Sequence, residues 1–117
     1  MGDNVVREKS FSFAVKVVKA CRKISDEKKE FVLSKQLMRS GTSIGANVRE
    51  AINAQSKADF IHKLAIAQKE SDETIYWLEL MKATDFIGKT EFDELHTEAT
   101  EILRIIRSII LSTKRNS

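Results

Sequence analysis

Two Asp-x-x-His pairs, Asp59 with His62 and Asp93 with His96, are the residues best suited by type to hold a metal. A carboxylate and an imidazole one helical turn apart can share an ion, and Glu-x-x-His pairs on two helices build di-metal centres in helical bundles. Here aspartate stands in for glutamate, which shortens the reach by a methylene. Glu70 and Glu73 are also one turn apart and have the types of a general acid and base, although the polar flank of a long helix carries such pairs far more often. The one cysteine, Cys21, falls on an apolar row, where a small buried hydrophobe is expected rather than a nucleophile. The stretch RSGTSIGANVREA (39–51), with Gly41 and Gly45, raises the question of a phosphate-cradling loop. Such a loop needs G-x-x-x-x-G-K-[ST] after a strand. The glycines here are too close together, no lysine follows Gly45, and no strand precedes them.

The elements that would have to position these groups read as helices. The chain has 117 residues, no proline and four glycines, which disfavours a β-rich or loop-rich domain and predicts a few long helices in one domain, 1–117. A first helix is predicted over about 5–24. One apolar row holds Phe11, Ala14, Val18 and Cys21, and a second holds Phe13, Val17, Ala20 and Ile24. Ser25 is a candidate N-cap for the next helix. That second helix spans about 30–53, because Leu33, Leu37, Gly41, Ile44, Val48 and Ile52 keep a 3–4 spacing straight through the glycine-bearing stretch. A loop has no reason to keep that phase. Small residues on one face let a neighbouring helix come close, at a cost of about 1 kcal/mol per glycine.

A third helix starts after Ser56, whose spacing to Asp59 resembles a capping box, and runs to about Phe86. Gly88 reads as a stop and Thr90 as the next N-cap, opening a fourth helix over about 91–113. That helix is apolar around more of its girth than one bundle core needs, which predicts an association face and a homo-oligomer. The fold class expected is all-α, an antiparallel up-down-up-down four-helix bundle. In that topology His62 and His96 sit near opposite ends, roughly 30 Å or more apart at the helical rise. No metal, no cofactor and no catalytic centre is therefore expected.

Two surfaces stand out. Ser43, Asn47 and Glu50 form a polar row bordering the apolar stripe, with Glu73 or Glu70 as candidate partners in a network that fixes helix register. Basic residues gather elsewhere: Lys16, Lys19, Arg22 and Lys23 on the first helix and Arg104 and Arg107 on the fourth. These six are the candidate contacts to RNA or DNA phosphates. If helices one and four are neighbours, their basic faces could merge. The charge is uneven: residues 1–58 carry 12 basic and 6 acidic side chains, and residues 59–117 carry 8 and 11. With neither an apolar leader nor a run long enough to span a bilayer, the cytoplasm is expected, with no membrane partner.

The segments LMRSGTSIGANVREA (37–51) and DFIHKLAIAQKESDETIYWLELM (59–81) resemble the 23S rRNA intervening-sequence proteins of bacteria. The pattern is carried by Arg39, Ser40, Ser43, Ile44, Asn47, Glu50 and Ala51, then by Ser71, Glu73, Trp77 and Leu78. The resemblance implies a small antiparallel bundle that assembles as a homopentamer, with no catalytic activity established. A similar protein is the accessory factor of diversity-generating retroelements, where it binds nucleic acid and a reverse transcriptase. The resemblance thus implies RNA or DNA as a partner, or a protein such as a reverse transcriptase; the basic positions are not part of the matched pattern.

Overall fold

Absence of proline and short polar breaks yield four helices: α1 (Gly2–Lys28), α2 (Val32–Ile52), α3 (Lys57–Ala83) and α4 (Lys89–Arg115). A computed structural model describes residues 2–116. The brief connections reverse the chain at each turn, so neighbours run antiparallel and α1 closes the square against α4. The result is a rod of 49 × 20 × 19 Å.

Each helix sends one stripe inward. Phe13 and Val17 of α1, Leu37, Ile44 and Val48 of α2, Leu64, Leu78 and Met81 of α3, and Leu95, Ile102 and Ile106 of α4 are fully buried. Burial of a large aliphatic side chain contributes about 1.5–3 kcal/mol, so this column dominates the stability. The glycine-bearing stretch is continuous helix, as its spacing predicts. Its slim face lets α1 come close: a Cβ on Gly41 would lie 2.8 Å from Val17 Cγ1, and one on Gly45 would lie 3.4 Å from the Ser10 carbonyl oxygen. Facing α3, the buried Ser40 and Thr74 hydroxyls hydrogen-bond to each other at 3.0 Å.

The helix ends differ in part from expectation. Ser56 does cap α3, accepting the Asp59 N–H at 3.0 Å. Ser25, by contrast, is not an N-cap. α1 runs on to Lys28 and stops where Lys29 turns left-handed, at φ 55°. The start of α2 is held instead by the Glu30 carboxylate, which accepts from the backbone N–H groups of Val32, Leu33 and Ser34. Gly88 does not end α3 but occupies the N-cap position of α4, displacing Thr90 from that role. α3 ends instead with Asp85 left-handed at φ 65°; its N–H reaches the Lys82 carbonyl, and the Phe86 N–H reaches that of Met81. Those two bonds make a Schellman ending with aspartate where glycine usually stands.

The apolar rows also distribute themselves differently. On α1 the Phe13 row is buried, while Phe11 is 56% exposed and Ala14 and Val18 only half-buried. On α4 the breadth is consumed by two neighbours, α1 and α3. Leu95, Ala99, Ile102, Leu103, Ile106 and Ile110 are buried, and of its large apolar residues Leu111 alone is exposed. The breadth expected to form an association face on α4 is therefore mostly interior, and of the large apolar side chains left outside Val5, Phe11 and Val15 lie on α1.

Candidate nucleic-acid interface

The six cations singled out by sequence do not form one patch. Lys16 points at α4, with Nζ 2.6 Å from Glu98 and 3.7 Å from Glu94. Two turns away Lys9 meets Glu101 at 2.5 Å. Glu94, Glu98 and Glu101 recur at helical spacing, so they form a ridge along α4 that answers the lysines of α1. The hydrogen bond to Glu98 holds the Lys16 ammonium above its ordinary range, with desolvation opposing and the charges of Glu98 and Glu94 adding to it. An acidic seam thus lies where the basic faces of α1 and α4 would have met. Lys23 lines a hollow shared with Lys89, Glu91 and Glu94. Arg107 reaches across to Asp72 of α3 at 3.8 Å, and Arg104, exposed, sits in the field of Glu101.

Lys19 and Arg22 are arranged otherwise. Both are exposed and neither forms an ion pair among the described residues. With Phe11, Ala14, Val15 and Val18 they line a surface hollow of about 320 Å³. On the other side of Phe11, toward α2, lies a second hollow of about 200 Å³, lined by Arg7, Ala14, Thr42, Gly45, Ala46 and Arg49. The Arg49 guanidinium carbon stands 5.2 Å from the Phe11 ring centroid, within cation–π range. No carboxylate lines either hollow. Arg7, Phe11 and Arg49 were not among the sequence candidates. For Phe11 the available signal was the double apolar row on α1, and nothing in that row pointed to Arg7 or Arg49.

The proposed polar row and its candidate partners resolve into local bonds and three ion pairs. Ser43 Oγ donates to the Arg39 carbonyl at 2.6 Å, and Asn47 Nδ2 donates to the Ser43 carbonyl at 2.8 Å, both within α2. Glu50 crosses to α3 by pairing with Lys63 at 2.9 Å. Glu73 is engaged elsewhere. It accepts from Trp77 Nε1 at 3.2 Å and from Arg39, which also contacts Glu70 at 3.3 Å. The Trp77 hydrogen bond leads in holding the Glu73 carboxyl below its usual range; desolvation opposes it and Arg39 adds to it. Structure thus joins Ser43 to Asn47 but puts Glu50 and Glu73 in separate clasps, with the buried Ser40–Thr74 pair in the same seam.

The remaining chemical candidates occupy ordinary positions. His96 lies 2.9 Å from Glu79 and tilts against Phe92, while Asp93 pairs with Lys89 at 2.6 Å. His62 is exposed at the other end of the bundle. Among the described residues, no three metal-donor side chains converge. Cys21 is buried, and burial pushes its thiol up to about 12, with Glu91 adding to the effect. No helix among the described residues is long and apolar enough to cross a membrane.

The family described as 23S rRNA-intervening sequence protein matches residues 2–108. A crystal structure of a protein of unknown function from the S23 ribosomal protein family of Bacteroides thetaiotaomicron is 54% identical. It superposes with a TM-score of 0.92 over 94% of this chain and 98% of its own. Among curated proteins none matches.

Proposed function

The chain belongs to the 23S rRNA-intervening sequence protein family, and from that premise we infer that it is a non-enzymatic, cytoplasmic, homo-oligomeric bundle that binds RNA or DNA through its basic surface. The observation that carries this reading is the fate of the charges. Glu94, Glu98 and Glu101 of α4 face Lys16 and Lys9, leaving Lys19 and Arg22 on an exposed face with no acid in the hollow they line. Clustered unpaired cations attract a polyanion and contact phosphates without reading sequence. Of the six sequence candidates, Lys19 and Arg22 lead. Lys16, Lys23, Arg104 and Arg107 are partly answered by acids, and they contribute through the summed field.

Self-association, which the family resemblance implies as a pentamer, is supported by the slender shape and by large apolar side chains left outside the core, such as Tyr76 and Leu111. An oligomer would also multiply the cationic face. The second reading, a scaffold for a protein partner, is favoured by Phe31 and Val32, which stand 62% and 71% exposed at the α1–α2 turn. Filter binding to structured RNA over a salt series separates the two. Affinity should fall steeply as salt rises, because counterion release drives phosphate binding. Lys19→Glu with Arg22→Glu should weaken it at least ten-fold. Absence of binding at low salt, with nuclease-insensitive co-purification of one protein, would put the scaffold in its place.

A further inference from the structure

We propose that the face around Phe11 takes single-stranded nucleic acid. An unpaired base packs against the Phe11–Arg49 pair, and the flanking phosphates lie toward Arg7 on one side and Lys19 and Arg22 on the other. This rests on the nucleic-acid reading above and adds to it the strandedness of the ligand and the residue that selects it.

Four observations converge on that face. A phenylalanine 56% exposed is an unusual use of an aromatic on a helix whose next inward position, Phe13, is fully buried. Its ring already holds a guanidinium at 5.2 Å, the kind of cation–aromatic pair that single-strand readers place against bases. The ground beside it is low, because Ala14, Gly45 and Ala46 raise no bulk there, and a flat ring can lie in the hollow they leave. Four cations, Arg7, Arg49, Lys19 and Arg22, border the two hollows and no carboxylate does. Glu8, exposed on α1, lines neither.

The ligand follows from chemistry. A duplex keeps its bases stacked inside and offers this face only phosphates, so Phe11 would add nothing to its binding. A single strand offers both phosphates and an exposed base. A copy related by a two-fold axis fits less well, because isologous docking would set these four cations against the same four. In a ring, where the contact is heterologous, a neighbouring copy would have to bring acids to this face, and Asp72, Asp93, Glu94, Glu98 and Glu101 already pair with Arg107, Lys89, Lys16 and Lys9 within the chain.

The experiment is fluorescence anisotropy on the full chain, with a labelled oligouridine of about 12 nucleotides and an RNA duplex of the same length. Each variant is also weighed in solution by light scattering. The wild type should prefer the single strand. Phe11→Ala should lose roughly ten-fold in single-strand affinity, the scale of one stacked base, with duplex binding unchanged. Phe11→Trp should keep the preference. If Phe11→Ala binds the single strand like wild type while Lys19→Glu with Arg22→Glu weakens both ligands, the stacking inference falls and the nucleic-acid reading stands. If neither ligand binds at low salt, both fall. A change in assembly mass with Phe11→Ala would assign the face to a contact between copies and overturn the inference.

Discussion

Gly41 and Gly45 look alike in sequence but meet different surroundings. A methyl on Gly41 would collide with the branched Val17 side chain, whose own packing leaves it little room to yield. A methyl on Gly45 would meet Ser10 at ordinary contact distance. Gly41→Ala should therefore destabilise by about 1–3 kcal/mol, overpacking outweighing the helix-propensity gain. Gly45→Ala should be neutral or stabilising by up to about 1 kcal/mol. Urea denaturation of both variants checks the pair, and equal effects would show that the α1–α2 approach is not set at Gly41. The same dependence on neighbours separates Phe11 from Phe13: two positions on one helix, one outside and one at the centre of the core.

At the scale of elements, the ends of helices were less legible than their middles. Ser56 and Asp59 announced the start of α3 because both halves of the signal are local. Glu30 did not announce α2, since a carboxylate capping from beyond the helix has no fixed spacing. At the end of α3, Asp85 adopts a backbone conformation that costs an L-residue free energy and suits glycine. Asp85→Gly should raise stability by roughly 0.5–1 kcal/mol, read as a higher thermal midpoint. An unchanged or lower midpoint would mean that the aspartate side chain compensates.

At the scale of the molecule, three ionised carboxylates add a pH-dependent part to a stability set mainly by the apolar core. Glu30, Glu73 and Glu101 are all held below their usual range. In Glu30, desolvation is outweighed by the N–H groups of Leu33, Ser34 and Val32. In Glu73 the Trp77 hydrogen bond leads, and in Glu101 the hydrogen bond to Lys9 does. A carboxyl depressed in the folded state contributes stability that is present above its unfolded value, near 4.3, and is lost as pH falls through the folded one. Lys16, Lys63 and Lys89 are raised, so their contribution is lost only well into alkaline pH. The thermal midpoint should be flat from about pH 7 to 5 and drop below about pH 4. Glu30→Gln should lower the plateau and shrink that drop; a midpoint unchanged down to about pH 3 would contradict the assignment.

Periodicity and the lack of proline were enough to determine four helices, a continuous α2 and the inward rows of Leu, Ile and Val, because those follow from local geometry and apolar spacing. Composition also supplied the cations. Which cations remain available was decided only by the packing of α1 on α4, which sets Glu94, Glu98 and Glu101 beside Lys9 and Lys16 and leaves Lys19 and Arg22 unanswered. The exposure of Phe11 and its meeting with Arg49 were decided the same way. A helix carries its spacing in its own sequence, but which side of it faces water depends on where its neighbours stand.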